Sequence, residues 1–239
     1  MSRFKDVIQI AGVKDLAEAR MMAAAGVTHL GFPLRLTFHR EDLSDIEAAS
    51  VISQLEPPVQ TVLITYLNEA DSIAGLCRKL GVQIVQLHGD IAESEIVRLR
   101  NSAPDLAVIK SLIVKGNNRE ELIEMVSRFE PIVDAFITDS WDPETGACGA
   151  TGRVHDWTVS RLLVDCSSKP LILAGGLGPE NVRQAILQVH PAGVDAHTGV
   201  EGHDGCKDER LVRLFVSEAM AAFRELENSK DGKCRKHPY

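Results

Sequence analysis

Ala174-Gly-Gly-Leu-Gly-Pro-Glu-Asn-Val182, followed closely by Gly193-Val-Asp-Ala-His-Thr-Gly-Val-Glu201, reads twice as a β-strand that stops in a glycine turn. The first turn opens into an amphipathic stripe, Val182, Ala185, Ile186 and Val189, with Pro179 near its start, where a missing N–H costs nothing. Strand, glycine turn and helix make the repeating half of an α/β fold. Glycine also lets the backbone approach a ligand, and a helix N-terminus adds positive potential. Both turns therefore read as phosphate cradles.

Outward from these turns the same unit recurs along nearly the whole chain. Apolar, β-branched runs at Val7–Ile10, His29–Leu34, Val59–Tyr66, Val82–His88, Ala107–Leu112, Asp134–Asp139, Pro170–Ala174 and Gly193–Ala196 give eight expected strands. Between them lie helical stripes such as Ile73, Leu76, Cys77 and Leu80, or Leu122, Met125, Val126 and Phe129. Two helices are expected to end at Gly26 and Gly81, and the last to span Asp208–Phe223. Eight strand–helix units at this length predict a single-domain (β/α)8 TIM barrel over residues 1–224. A doubly wound open sheet fits less well, because the first turn is Ala11-Gly12-Val13 rather than a glycine-rich dinucleotide loop. The polar segment 225–239 is expected to be a disordered tail.

Composition narrows the partners. A net charge of −8 disfavours a nucleic-acid surface, and no apolar run reaches membrane-spanning length. Five cysteines (77, 148, 166, 206 and 234) are scattered without a CxxC pair, which suits reduced thiols and a cytoplasmic protein. No metal-ligand spacing is present, so neither metal nor cofactor is expected.

In a barrel, ligands meet the residues where strands end. Asp139 emerges from the apolar run Ala-Phe-Ile-Thr, where a half-buried carboxyl can serve as a general acid or simply brace a loop. His88, in Gln86-Leu-His-Gly89, faces the mouth if Leu87 faces the helices, as a proton-transfer group or a hydrogen-bonding brace. Arg40, with His39 beside it, can fork onto a carboxylate or stand solvated in its loop. Asp195 ends a strand beside the second turn and can accept backbone N–H bonds there.

Four segments in order, Gln86-Leu-His-Gly89, Asp139 with Gly149-Ala-Thr-Gly-Arg-Val-His-Asp-Trp157, and the two glycine turns with Gly205-Cys-Lys-Asp208 behind them, resemble the phosphoribosylanthranilate isomerases of tryptophan biosynthesis over roughly residues 5 to 223. The resemblance implies a cofactor-free aldose–ketose (Amadori) isomerisation of a phosphoribosyl amine by general acid/base catalysis. It assigns Asp139 as general acid, and Gly175, Gly176, His197 and Thr198 to the phosphate. Arg40 falls at the anthranilate carboxylate, with Gln86 and Asp195 also on the substrate. It is compatible with a monomer or a homodimer.

The chain departs from that pattern on its first strand. The family writes Lys-Ile-Cys-Gly there, with the cysteine thiolate as general base, whereas this chain has Gln9-Ile10-Ala11-Gly12. A methyl group takes no proton, and losing a positioned base costs on the order of a hundred- to ten-thousand-fold in rate. His88 and His39 are the candidates to replace it. His197-Thr198 also stands where the family commonly has two serines. Two other readings stay open: a divergent barrel enzyme acting on another phosphorylated metabolite, and a non-catalytic phosphometabolite-binding protein.

Overall fold

Strands β1 (Val7–Ala11), β2 (His29–Pro33), β3 (Gln60–Thr65), β4 (Ile84–Leu87), β5 (Ala107–Val114), β6 (Ala135–Ser140), β7 (Leu171–Leu173) and β8 (Gly193–Ala196) pair in parallel, each with the next. The eighth returns to the first, with Gln9 beside Asp195 in that closing register, so the barrel is shut. This computed structural model describes residues 3–37, 41–142, 144 and 154–234, with side chains as far as Ser229. Helices α1 (Leu16–Ala25), α2 (Asp45–Ile52), α3 (Ala70–Leu80), α4 (Glu93–Ser102), α5 (Arg119–Phe129), α6 (Trp157–Cys166), α7 (Val182–Val189) and α8 (Glu209–Cys234) follow the strands in turn. The (β/α)8 barrel read from the sequence is the fold.

Local chemistry explains the punctuation. Asp15 accepts the Glu18 N–H to cap α1, and Ser44 with Glu47 forms a reciprocal capping box at the start of α2. Helices α1 and α3 stop at Gly26 and Gly81 as expected. Strand β7 is shorter than its apolar run: Pro170 has no N–H to donate, although its carbonyl accepts the Phe136 N–H at 2.9 Å.

The two-residue period of the strands divides the core into two. Phe4, Val7, Val62, Ile64, Ile84, Ile109, Ile137 and Ile172 fill the barrel, whereas Ile8, Ile10, Val85, Leu87, Val108 and Phe136 pack outward against the helices. Phe4 closes the floor and stacks on His29 at 6.3 Å. Polar residues continue the inner rows at the opposite end. Gln9 follows Val7, Gln86 follows Ile84, Ser111 follows Ile109, and Asp139 follows Ile137.

Helix α8 runs beyond residue 224, where the sequence reading ended the barrel. Leu226 packs against the outer core, Glu225 pairs with Arg183 of α7 at 2.7 Å, and Glu227 pairs with Lys5 at 2.5 Å. Those anchors continue the helical stripe past Phe223, so residues 225–234 are helical. Among the described residues no helix is long and apolar enough to cross a membrane.

Candidate active site at the barrel mouth

The two glycine turns lie side by side at the carboxyl ends of β7 and β8. Together with the end of β6 they line one cavity of ≈ 280 Å³, open solvent included. Its walls are Asp139, Gly175, Gly176, Leu177, Asp195, Ala196, His197, Thr198 and Gly199. Their closeness depends on missing side chains. A Cβ on Gly199 would sit 2.0 Å from the Leu177 carbonyl oxygen, and one on Gly175 would lie 2.9 Å from His155 Nδ1. Gly175 also holds φ +100, which side chains rarely adopt. Asn181 keeps the first turn in shape by accepting the Gly178 N–H and donating to the Gly176 carbonyl, both at 2.9 Å.

Asp139 and Asp195 stand in this cavity, each only 8% exposed. Burial raises the Asp139 carboxyl to about 7, opposed by the Ser140 N–H that donates to its Oδ1 at 2.8 Å. Burial first, and then the neighbouring Asp139, push Asp195 well above the usual carboxylate range. A hydrogen bond from Gln9 and the Lys207 ammonium act the other way. Two buried carboxyls that repel each other's charge tend to share one proton near neutrality. The Asp195 Oδ1 is buried and has no hydrogen-bond partner among the described residues.

Behind Asp195 a chain of side chains crosses the barrel beneath the mouth. Gln9 Nε2 donates to Gln86 Oε1 at 3.0 Å, and Gln86 Nε2 reaches Ser111 Oγ at 3.5 Å. Ser111 Oγ in turn bonds His88 Nδ1 at 3.0 Å. His88 continues the inner row of β4, because Leu87 faces the helices, and its ring stands edge-on to Tyr66. It is not among the residues lining the Asp139–Asp195 cavity. On the outer side of β5, Lys110 donates to the carbonyls of Leu87, Gly89 and Ser111 at 3.1–3.4 Å, bracing the turn that follows His88. Burial lowers its ammonium to about 8.

The second turn has its own support. Lys207, its side chain fully buried, pairs with Glu201 at 2.7 Å and donates to the His197 carbonyl at 3.1 Å. Glu201 also lies 3.5 Å from His197 Nε2. The His197 ring lies over the β1 turn, where a Cβ on Gly12 would be 2.3 Å from Nε2 and φ is +83.

Of the residues singled out from sequence, Asp139, Asp195, Gly175, Gly176, His197 and Thr198 come together in one cavity. Gln86 and His88 connect to Asp195 through Gln9 and Ser111. Arg40 and His39 lie outside the described residues, as does the segment 145–153. Ser111, Glu201 and Lys207 were not assigned a part from sequence. Ser111 was readable as a polar residue on the inner row of β5, whereas Glu201 and Lys207 are brought together by an isolated antiparallel bridge outside the strands. Ala11 faces the barrel interior, 5% exposed, with Gly31 close against it. Among the described residues no three His, Cys, Asp or Glu side chains gather as a metal site.

Comparison with known proteins gives consistent matches. The model of the N-(5'-phosphoribosyl)anthranilate isomerase family matches residues 8–218. N-(5'-phosphoribosyl)anthranilate isomerase 2 of Methanosarcina mazei is 39% identical over 222 residues, covering 92% of this chain and 97% of that protein. The crystal structure of phosphoribosyl anthranilate isomerase from Thermotoga maritima superposes with a TM-score of 0.77 at 27% identity, covering 90% of this chain and 99% of the other. A second structure of such an isomerase, in complex with reduced 1-(o-carboxyphenylamino)-1-deoxyribulose 5-phosphate, gives 0.75 at 25% identity, covering 90% and 99%.

Proposed function

The chain belongs to the N-(5'-phosphoribosyl)anthranilate isomerase family, and from that premise we propose that it isomerises N-(5'-phosphoribosyl)anthranilate to 1-(o-carboxyphenylamino)-1-deoxyribulose 5-phosphate without cofactor or metal. The observation that carries this reading is the shared cavity: two buried carboxyls, one raised to about 7, stand beside two adjoining glycine turns. A phosphorylated sugar held by its phosphate at Gly175, Gly176, His197 and Thr198 presents its ring to Asp139. The proton on Asp139 then serves ring opening as a general acid. Gln86 and Asp195 contact the substrate, His88 is a further titratable group at the mouth, and Arg40 receives the anthranilate carboxylate. The protein works in the cytoplasm, as a monomer or homodimer.

Loss of substrate fluorescence on adding the protein to phosphoribosylanthranilate measures the reaction directly. Asp139→Asn should lower kcat by on the order of a hundred- to ten-thousand-fold. An unimpaired variant removes Asp139 from the chemistry. Because the acid must hold its proton, kcat/KM of the wild-type protein should fall as pH rises through about 7.

A further inference from the structure

We propose that Asp195 is the proton acceptor of the isomerisation, removing the hydrogen from C2' of the ring-opened substrate. This rests on the isomerase reading above and deepens it. Two geometric facts carry it. Asp195 and Asp139 line the same small cavity as the glycine turns, so both carboxyls face whatever sugar the turns hold by its phosphate. Asp195 is also anchored at one end only. Gln9, itself tied to Gln86 on the far side of the barrel, hydrogen-bonds its carboxylate, while its buried Oδ1 has no partner among the described residues. A buried oxygen left without a donor costs free energy unless something bound supplies one.

Burial and the neighbouring Asp139 push Asp195 toward its protonated form, and two contacts oppose that push. Lys207 lies close enough to act on it electrostatically, and the Gln9 amide donates to it. Among the described residues Asp139 accepts only the Ser140 N–H, at Oδ1, which leaves Oδ2 for the proton. Of the other inward polar groups at this end, Ser111 and His88 bond to each other between the adjacent strands β4 and β5, and Gln9 and Gln86 are amides that offer no base. The last inward position on β1, the strand paired to β8, is the methyl of Ala11, which offers no base.

The proton balance closes with these two groups. Asp139 gives its proton to the ring oxygen as the C1'–O bond breaks, and the nitrogen lone pair forms the C1'=N bond. Asp195 then takes the C2' hydrogen as a proton. The C2'–H electron pair becomes a C1'=C2' bond, and the C1'=N pair returns to nitrogen. Asp195 returns its proton to C1' while the 2'-hydroxyl proton goes to Asp139. The ketone forms and both carboxyls regain their starting states.

The test compares full-length wild type, Asp195→Asn, Asp195→Glu and His88→Gln for turnover of phosphoribosylanthranilate and for binding of reduced 1-(o-carboxyphenylamino)-1-deoxyribulose 5-phosphate. Expected is a kcat lowered at least a hundredfold in Asp195→Asn, with analogue affinity within about threefold of wild type. A C2'-deuterated substrate should then show a larger isotope effect in that variant, which a merely structural loss would not produce. Should Asp195→Asn fail to bind the analogue, Asp195→Glu decides. A kcat lowered tenfold or more at unchanged affinity supports the assignment, and an unchanged kcat overturns it. An active wild type with an Asp195→Asn kcat within threefold overturns the role of Asp195 alone. A larger loss in His88→Gln than in Asp195→Asn moves the role to His88. A wild type that binds the analogue but never turns over phosphoribosylanthranilate overturns the isomerase reading and this proposal together.

Discussion

Ala11 and Gly12, neighbours at the end of β1, show how much one side chain decides. A thiol at position 11 would project into the barrel as a second base, so Ala11→Cys should raise turnover of phosphoribosylanthranilate several-fold or more, measured as kcat. No gain would mean that proton abstraction does not limit this enzyme. Gly12 is bound by space and by backbone. Its φ is +83, and a Cβ there meets the His197 ring at 2.3 Å. Gly12→Ala should cost about 1–3 kcal/mol of stability in a denaturant titration and weaken inorganic phosphate binding by displacing His197. Asp139 was legible from sequence as a polar residue ending an apolar strand. Its raised carboxyl was not, because the burial that raises it depends on the assembled barrel, where the turns after β7 and β8, distant in sequence, share its cavity.

At the scale of elements, the strand–helix alternation was nearly all visible, since burial of one helix stripe and of both strand faces writes a periodic pattern. The ends were less visible. Helix α8 continues past residue 224 because Arg183 on α7 and Lys5 before β1 reach its acidic residues, and Leu226 finds the outer core. Nothing in the local run of polar residues announces partners so far away. Ending the chain at residue 224 should therefore lower stability by about 1–2 kcal/mol, seen as a reduced midpoint in urea, because exposed ion pairs add little and most of the loss is the Leu226 side chain. Turnover should be unchanged, since α8 ends on the side away from the mouth-forming turns.

The whole molecule sets a pH dependence that no single element shows. Burial lowers the buried imidazoles of His29 and His155 to about 4, so between there and 6.5 the unfolded chain binds more protons and stability rises with pH. Asp139 works the opposite way. Its folded value near 7 exceeds the ordinary 3.8, so the folded protein binds more protons in that window and stability falls as pH rises. Asp139→Asn removes the falling contribution. Its melting temperature should match wild type near pH 4 and exceed it by ~2 °C or more at pH 7 and above, even though its activity is lost. A variant less stable than wild type at pH 8 would show that the carboxylate is not held at a cost.

The sequence by itself determined the eight-fold alternation, the two glycine turns and the identity of the inward polar residues, because each is written in local periodicity and in backbone needs that neighbouring residues reveal. Closure of β8 onto β1 decided the rest. Only that contact sets Gln9 beside Asp195, and only the adjoining turns of β7 and β8 bring Asp139 and Asp195 into one cavity. The charge state of those carboxyls follows from desolvation by the assembled barrel, a property of packing that no stretch of the chain carries alone.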